Sequence, residues 1–207
     1  MGVFLLVLIV ILVAIVVIFG NSIKGYVGEL KSIFTKKMFL NSEGYHDFNN
    51  IIIQKGNAST QIDHIVVSKY GVFVVETKDM SGWIYGSEKD AYWTQSFPNK
   101  KKYPFQNPLR QNYGHIMSLS EYLGISPDKM ISIVIFWGDC VLKTSMPENV
   151  IRGGIQGYTK YIKSHKAVVF TDEEVSVLCS QIRKCKDSMN LLSNFRHIIS
   201  TKKRFRK

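Results

Sequence analysis

Three cysteines in 207 residues, Cys140, Cys179 and Cys185, form neither an even set nor a close cluster. A disulfide framework is therefore excluded, and reduced structural thiols are the expectation. His46, His115, His165 and His197 show no ligand spacing with these cysteines. A phosphate loop is missing as well: GGIQG, at 153–157, has no Lys-Ser/Thr after it. No internal repeat is present. Acidic residues are scarce toward the end. From Ile151 onward there are 13 basic and 4 acidic residues, and RHIISTKKRFRK carries six positives and no acid. From Asn21 to Val150 the balance is close, 14 basic against 12 acidic. The net charge of +11 thus belongs to the C-terminal third and does not make the central body a nucleic-acid binder. The tail is expected to meet polynucleotide or anionic lipid, or to be solvated.

Charge is also missing from the beginning. Val3 to Phe19 reads VFLLVLIVILVAIVVIF, without one polar residue. Seventeen helical residues at ~1.5 Å each reach about 26 Å, close to a hydrocarbon core of ~30 Å. A signal peptide would need a basic n-region and a small-residue cleavage site, and neither is here. A buried core helix would carry polar positions. The expectation is one N-terminal transmembrane helix within residues 1–22. Lys24, Lys31, Lys36 and Lys37 follow it, with Glu29 the one acid among them. The positive-inside rule then gives a single-pass protein of the cell membrane with its body in the cytoplasm.

The body, 23–187, alternates strand and helix patterns. Ile23 to Phe39 has a helical stripe of Val27, Leu30, Ile33 and Phe34. NSEGYHDFNN is read as turn, Ile51 to Gln54 as a short strand. QIDHIVVS and VFVVETK are strands around KYG, expected as a hairpin with a glycine bulge at Gly71. WIYG and AYWTQ are two further strands, and NKKKYPFQN is read as a Pro-broken loop. Asn107 and Pro108 open a helix whose apolar stripe is Leu109, Tyr113, Ile116, Leu119 and Leu123. ISIVIFW is a strand with both faces covered. GGIQGYTKYIKSH is a helix, KAVVF a strand, and TDEE a capping box opening a helix to about Lys186. Residues 188–207 add an amphipathic helix and the basic tail. The class is α/β, a mixed sheet flanked by helices.

The chemistry concentrates at Asp63, Glu76 and Lys78. A turn centred on Lys69 and Tyr70 sets Asp63 opposite Glu76, and strand periodicity keeps Glu76 and Lys78 on one face. Two carboxylates with the Thr77 carbonyl make a hard-oxygen set suited to Mg²⁺ or Mn²⁺. The competing explanation is an ordinary salt bridge. His64 alternates to the opposite face, where packing or hydrogen bonding is expected. Trp83, Trp93 and Trp137 are expected in the core, with Trp93 placed to stack a base as the other use.

Over about Gly25 to Lys143 the chain resembles the nuclease-related domain family, a branch of the PD-(D/E)xK restriction-endonuclease-like superfamily. The resemblance rests on VGE in the first helix, TQIDHIVVSKYGVFVVETKDMSGWIYG, AYWTQ and NPLRQN. It implies a restriction-endonuclease-like core of four mixed strands, with Glu29, Asp63 and Glu76 as acidic set and Lys78 as catalytic lysine. Gln95 and Gln111 resemble polar accessories that hold a phosphate or the attacking water. Lys101 and Lys102, beside Tyr103 and Phe105, would form part of a basic groove. The implied function is hydrolysis of nucleic-acid phosphodiesters, DNA rather than RNA, with a divalent metal. A catalytically silent, membrane-tethered nucleic-acid-binding module is the alternative.

Overall fold

A computed structural model describes residues 44–55, 58–152 and 155–187. The expected membrane helix, the first body helix with Glu29, and the C-terminal segment lie outside the described residues. Among those described, no helix is long and apolar enough to cross a membrane.

Among the described residues, nine strands form two mixed sheets flanked by helices. The larger sheet has the order β1-β2-β3-β7-β9, built from His46–Lys55, Ala58–Ser68, Gly71–Asp79, Met130–Trp137 and Val150–Arg152. β1, β2 and β3 run antiparallel in turn, whereas β7 is parallel to both β3 and β9. The core therefore has one strand more than the four expected. The smaller sheet has the order β6-β5-β4-β8, from Lys102–Gln106, Tyr92–Ser96, Gly82–Tyr85 and Cys140–Leu142.

Helix α1 (Pro108–Leu123) and helix α3 (Asp172–Asp187) cover one face of the larger sheet, and α2 (Ile155–Ser164) covers part of the other. Ile65, Val67, Val72 and Val74 pack under Ile116, Leu119, Leu178 and Ile182. Val66, Phe73, Val75, Ile133 and Ile135 pack with Tyr158 and Ile162. A third cluster joins the sheets, with Trp93 stacked on Phe136 at 6.0 Å and Ile84, Val134 and Cys140 around them. From Ile133 to Trp137 β7 alternates between the second and third clusters, which explains the apolar run IVIFW. Trp93 is fully buried, so it is core and not a stacking platform for a base.

Local chemistry sets the helix ends. Asn107 Oδ1 accepts from the Leu109 N–H at 2.9 Å, and its Nδ2 reaches the carbonyls of Ser87, Glu88 and Asp90. Pro108 sits in the first turn, and Gly124 closes the helix with φ 67°. At α3 the capping box forms: Glu174 N–H donates to Thr171 Oγ1, and Thr171 N–H to Glu174 Oε2.

Several expectations are corrected. β1 begins at His46, inside the supposed turn, because it pairs with β2 back to Val67. Lys102–Gln106 is a strand despite Pro104, because β6 is the sheet edge, where a missing N–H is tolerated. KAVVF is not a strand: Val168 is 64% exposed, and the N–H groups of Val169 and Phe170 both donate to the Lys69 carbonyl. Tyr113 leaves the apolar stripe at 63% exposure, since Asn112 and His115 take the inward positions. Pairing between β2 and β3 continues to Ser68↔Gly71, so the connection is Lys69-Tyr70 with no bulge. β8 and β9, three residues each, have no signature in the sequence and exist through pairing with β4 and β7.

Candidate metal-dependent nuclease centre

The site lies where the hairpin opens. β2 pairs with β3 as far as His64↔Val75, and the next position would set Asp63 against Glu76, as the turn-centred register predicts. On the other side of β2, pairing with β1 passes from His64↔Asn49 to Ile62↔Ile51, leaving Asp63 across from Asn50. Asn50 has φ 55°, a left-handed conformation that asparagine tolerates better than most residues. Above this point Ile65 and Val67 face α1; below it Ile62 does. Thr60 faces the same way, through a hydrogen bond to His115 on α1. The inside–outside alternation thus shifts by one residue across Asp63, as happens where an irregularity re-aims a side chain.

That shift turns the Asp63 carboxylate sideways into the opening. Its Oδ2 accepts from the Thr77 N–H at 2.9 Å and from Thr77 Oγ1 at 2.6 Å, replacing a ladder partner that β2 no longer provides. Oδ1 has no hydrogen bond among the described residues. In a strand, a residue's N–H and C=O face the same neighbour, so the Thr77 carbonyl lies on the Asp63 side. Burial, and then the nearby Glu76 charge, push the Asp63 carboxyl above the usual range. Thr77's hydrogen bonds and Lys78 only partly offset this.

Glu76 is 2% exposed. Its Oε1 accepts from Lys78 Nζ at 2.6 Å, and its Oε2 lies 3.2 Å from His115 Nε2. Burial pushes this carboxyl up, but the His115 hydrogen bond and the Lys78 ammonium outweigh it and leave Glu76 below its ordinary value. Lys78 also donates to Gln111 Oε1 at 2.9 Å. Helix α1 therefore brings two residues to the site, Gln111 and His115, one turn apart. Asn112 anchors that helix to the sheet by donating to Val74 O, Ser132 Oγ and Ile133 O.

The other expected residues lie farther out. Gln95, on β5, donates to the carbonyl of Ser81, three residues past Lys78, and has no hydrogen bond to the acidic pair. Lys101 and Lys102 are exposed, with Lys102 paired to Ser96 at the edge of the smaller sheet. His64 faces away and meets Asn49 Oδ1 at 2.5 Å, as its alternation requires. Ligand spacing does not single out His115. Its signal was a polar stripe, Gln111, Asn112 and His115, on the face that also carries Ile116 and Leu119.

No group of three or more His, Cys, Asp or Glu side chains gathers among the described residues in a way that could hold a metal. Two carboxylates and a carbonyl suit Mg²⁺ nonetheless, because that ion keeps several waters and uses one or two carboxylates. The raised Asp63 carboxyl beside Glu76 is negative charge that a cation would stabilise.

The model of the nuclease-related domain family matches residues 24–137, from ahead of the described body to the last residue of β7. The chain belongs to the nuclease-related domain family. Its PD-(D/E)xK superfamily placement is consistent with that match, and its function is in this coarse sense nuclease-like. A Bacillus anthracis protein, described as uncharacterized, is 38% identical over 176 residues, covering 80% of this chain and 81% of the relative. No solved structure matches. The matched nuclease-related region carries Asp63, Glu76, Lys78, Gln95, Gln111 and His115, whereas β9, α2 and α3 lie beyond it.

Proposed function

We propose that this chain is a divalent-metal-dependent nuclease with a restriction-endonuclease-like core, held at the cell membrane by Val3 to Phe19 with its body in the cytoplasm. The observation that carries the reading is the opening of one hairpin between two facing carboxylates. Lys78 stands two residues from Glu76 and bonds both Glu76 and Gln111. Asp63, Glu76 and the Thr77 carbonyl would hold Mg²⁺ or Mn²⁺, with Glu29 the further acid. A divalent ion held there would supply Lewis-acid polarisation of the phosphodiester. Lys78, steered by Gln111, places its ammonium where the phosphorane gains charge or where the nucleophile enters. Gln95 and the exposed Lys101 and Lys102 hold the strand on the smaller-sheet side, DNA in preference to RNA.

The test is cleavage of DNA and RNA, single- and double-stranded, by the full chain in detergent with Mg²⁺, Mn²⁺ or chelator. Activity that needs the metal and disappears in folded Asp63→Ala and Lys78→Ala supports the nuclease. Folded wild type that cuts none of these substrates refutes it.

One observation favours a catalytically silent, tethered nucleic-acid binder. Both Glu76 oxygens already have partners, Lys78 and His115, so this buried carboxylate is compensated without an ion. Salt-sensitive nucleic-acid binding indifferent to chelator, with no cleavage, would select that reading.

A further inference from the structure

The nuclease reading leaves His115 without a task. The ring is 6% exposed and meets the buried Glu76 carboxylate at 3.2 Å, with little surface left for a substrate to touch. We infer that His115, backed by Thr60, is the positioning residue that fixes the Glu76 carboxylate for the ion, an inference that rests on the metal-dependent reading above.

Donor and acceptor chemistry sets the direction of the relay. An ionised carboxylate only accepts, so the 3.2 Å contact requires that Nε2 carry the hydrogen and donate to Glu76 Oε2. The other neighbour of Nε2 is Gln111 Nε2, 3.5 Å away. That amide is already oriented, because its oxygen faces Lys78. With Nε2 carrying the hydrogen, this amide nitrogen is a donor facing a donor: it makes no hydrogen bond to the ring and offers no competing acceptor. Nδ1 faces Thr60 Oγ1 at 2.8 Å, a hydroxyl free to rotate and donate to it. Thr60 thereby fixes the ring plane, and the ring fixes Oε2. Lys78 holds Oε1 on the other side. A buried glutamate with three rotatable bonds is left with one orientation.

Topology gives the relay a second use. Thr60 is on β2 and Glu76 on β3, and their backbone pairing has ended at His64↔Val75. Below that level Thr60, His115 and Glu76 bridge the two strands through a helix that Asn112 anchors to the sheet. The bridge sets the gap between the strands that bear the two carboxylates. Supporting hydrogen bonds of this kind govern how well a ligand set is aimed, and losing one typically weakens metal affinity about 10–100-fold.

The experiment is calorimetric titration of Mn²⁺ into the full chain in detergent, for wild type, His115→Leu, Thr60→Val and Thr60→Ser. His115→Leu is expected to raise the Kd by about 10–100-fold. Thr60→Val is expected to raise it about fivefold, roughly one neutral hydrogen bond, and Thr60→Ser to stay near wild type. A residue that merely fills a strand position would leave the Kd of both variants near wild type and show its effect in stability, where valine suits a half-buried strand better than serine. If His115→Leu does not fold, the Val-against-Ser comparison decides. Wild-type binding with unchanged Kd in Thr60→Val, and in His115→Leu where folded, overturns the relay and leaves the metal site standing. A wild type that takes up no Mn²⁺ overturns the metal site and the relay together.

Discussion

Asp63 and Thr77 are joined twice, by the Thr77 N–H at 2.9 Å and by its hydroxyl at 2.6 Å. The strand partner that should have met Thr77 has diverged, and a side chain from the diverging strand takes its place. The same carboxylate that ends the ladder lies near enough to Glu76 to feel its charge, so the end of β-pairing and the start of the candidate metal centre are one event. Its consequence is electrostatic: Asp63 is kept partly from water, next to a second negative charge, with Thr77 as its hydrogen-bond donor.

Asp63→Asn should therefore stabilise the metal-free protein at neutral pH. The carboxyl is raised above its ordinary 3.8 by burial and by Glu76. A native state that holds this proton more tightly than the unfolded chain is favoured most below that value, and loses the advantage as pH rises through the folded pKa. Ionised Asp63 is thus destabilising at pH 7, and asparagine relieves it. Calorimetry from pH 4 to 8 should give a higher Tm for the variant, with the difference shrinking toward pH 4. The rise in Tm on adding Mn²⁺ should vanish in the variant, since only a ligand of the native state raises it. A variant that melts below wild type at pH 7 would contradict the electrostatic account.

Lys78→Met acts with the opposite sign. Glu76 lies below its ordinary 4.5 because the His115 hydrogen bond and the Lys78 charge overcome burial. Its stabilising contribution is present above 4.5 and is lost as pH falls through the folded pKa. Removing the ammonium takes away a hydrogen bond between charged groups, worth about 1.5–3 kcal/mol. Urea unfolding should show that loss at pH 7, and progressively less of it as pH falls through the folded pKa of Glu76, which lies below its ordinary 4.5. Cleavage should fall about 10²–10³-fold, the range for a lost donor to developing charge.

Much of this was legible from local pattern. Asn107-Pro108 and the TDEE box announce helices because a cap is a short-range bond between residues two or three apart. The register that ends at His64↔Val75, one position short of Asp63 and Glu76, follows from the turn at Lys69-Tyr70, since a hairpin's register is set at its turn. What escaped depends on distant partners. β6 is a strand because β5 is beside it, and KAVVF is not one because Val169 and Phe170 are held by the Lys69 carbonyl. The phase shift at Asn50 and Asp63 involves two strands at once, and no single-strand periodicity contains it. His115 escaped because its partners, Thr60 and Glu76, are 55 and 39 residues away.

Asn107 offers a test of how the smaller sheet supports the site. Its amide donates to the carbonyls of Ser87, Glu88 and Asp90, and its oxygen caps the helix that delivers Gln111 and His115. Asn107→Ala loses the cap, about 1 kcal/mol, and leaves buried carbonyls unpaired at about 1–3 kcal/mol more. Asn107→Asp keeps the cap and loses only the donor, and adds a charge to a fully buried position. Both should lower the urea midpoint, and Asn107→Ala should also weaken Mn²⁺ binding by loosening the helix start. Wild-type midpoints in both would show that the loop and helix are held by packing alone.

Lys101 and Lys102 test where nucleic acid lies. They are exposed beside Tyr103, which is 50% exposed, and β5 links this edge to Gln95 and so to the end of the strand bearing Lys78. A cation that neutralises one backbone phosphate releases counterions and contributes about −0.7 on single strands and −0.9 on duplex to the slope of log K against log salt. Lys101→Ala with Lys102→Ala should reduce the slope by nearly two such contributions, weakening all sequences alike. The Mn²⁺ Kd should not move, because neither side chain contacts the acidic pair. Fluorescence anisotropy with labelled DNA from 50 to 200 mM salt measures the slope. An unchanged slope would remove this edge from the binding path and shift the search for it to the α1 side of the opening, where Tyr113 is exposed.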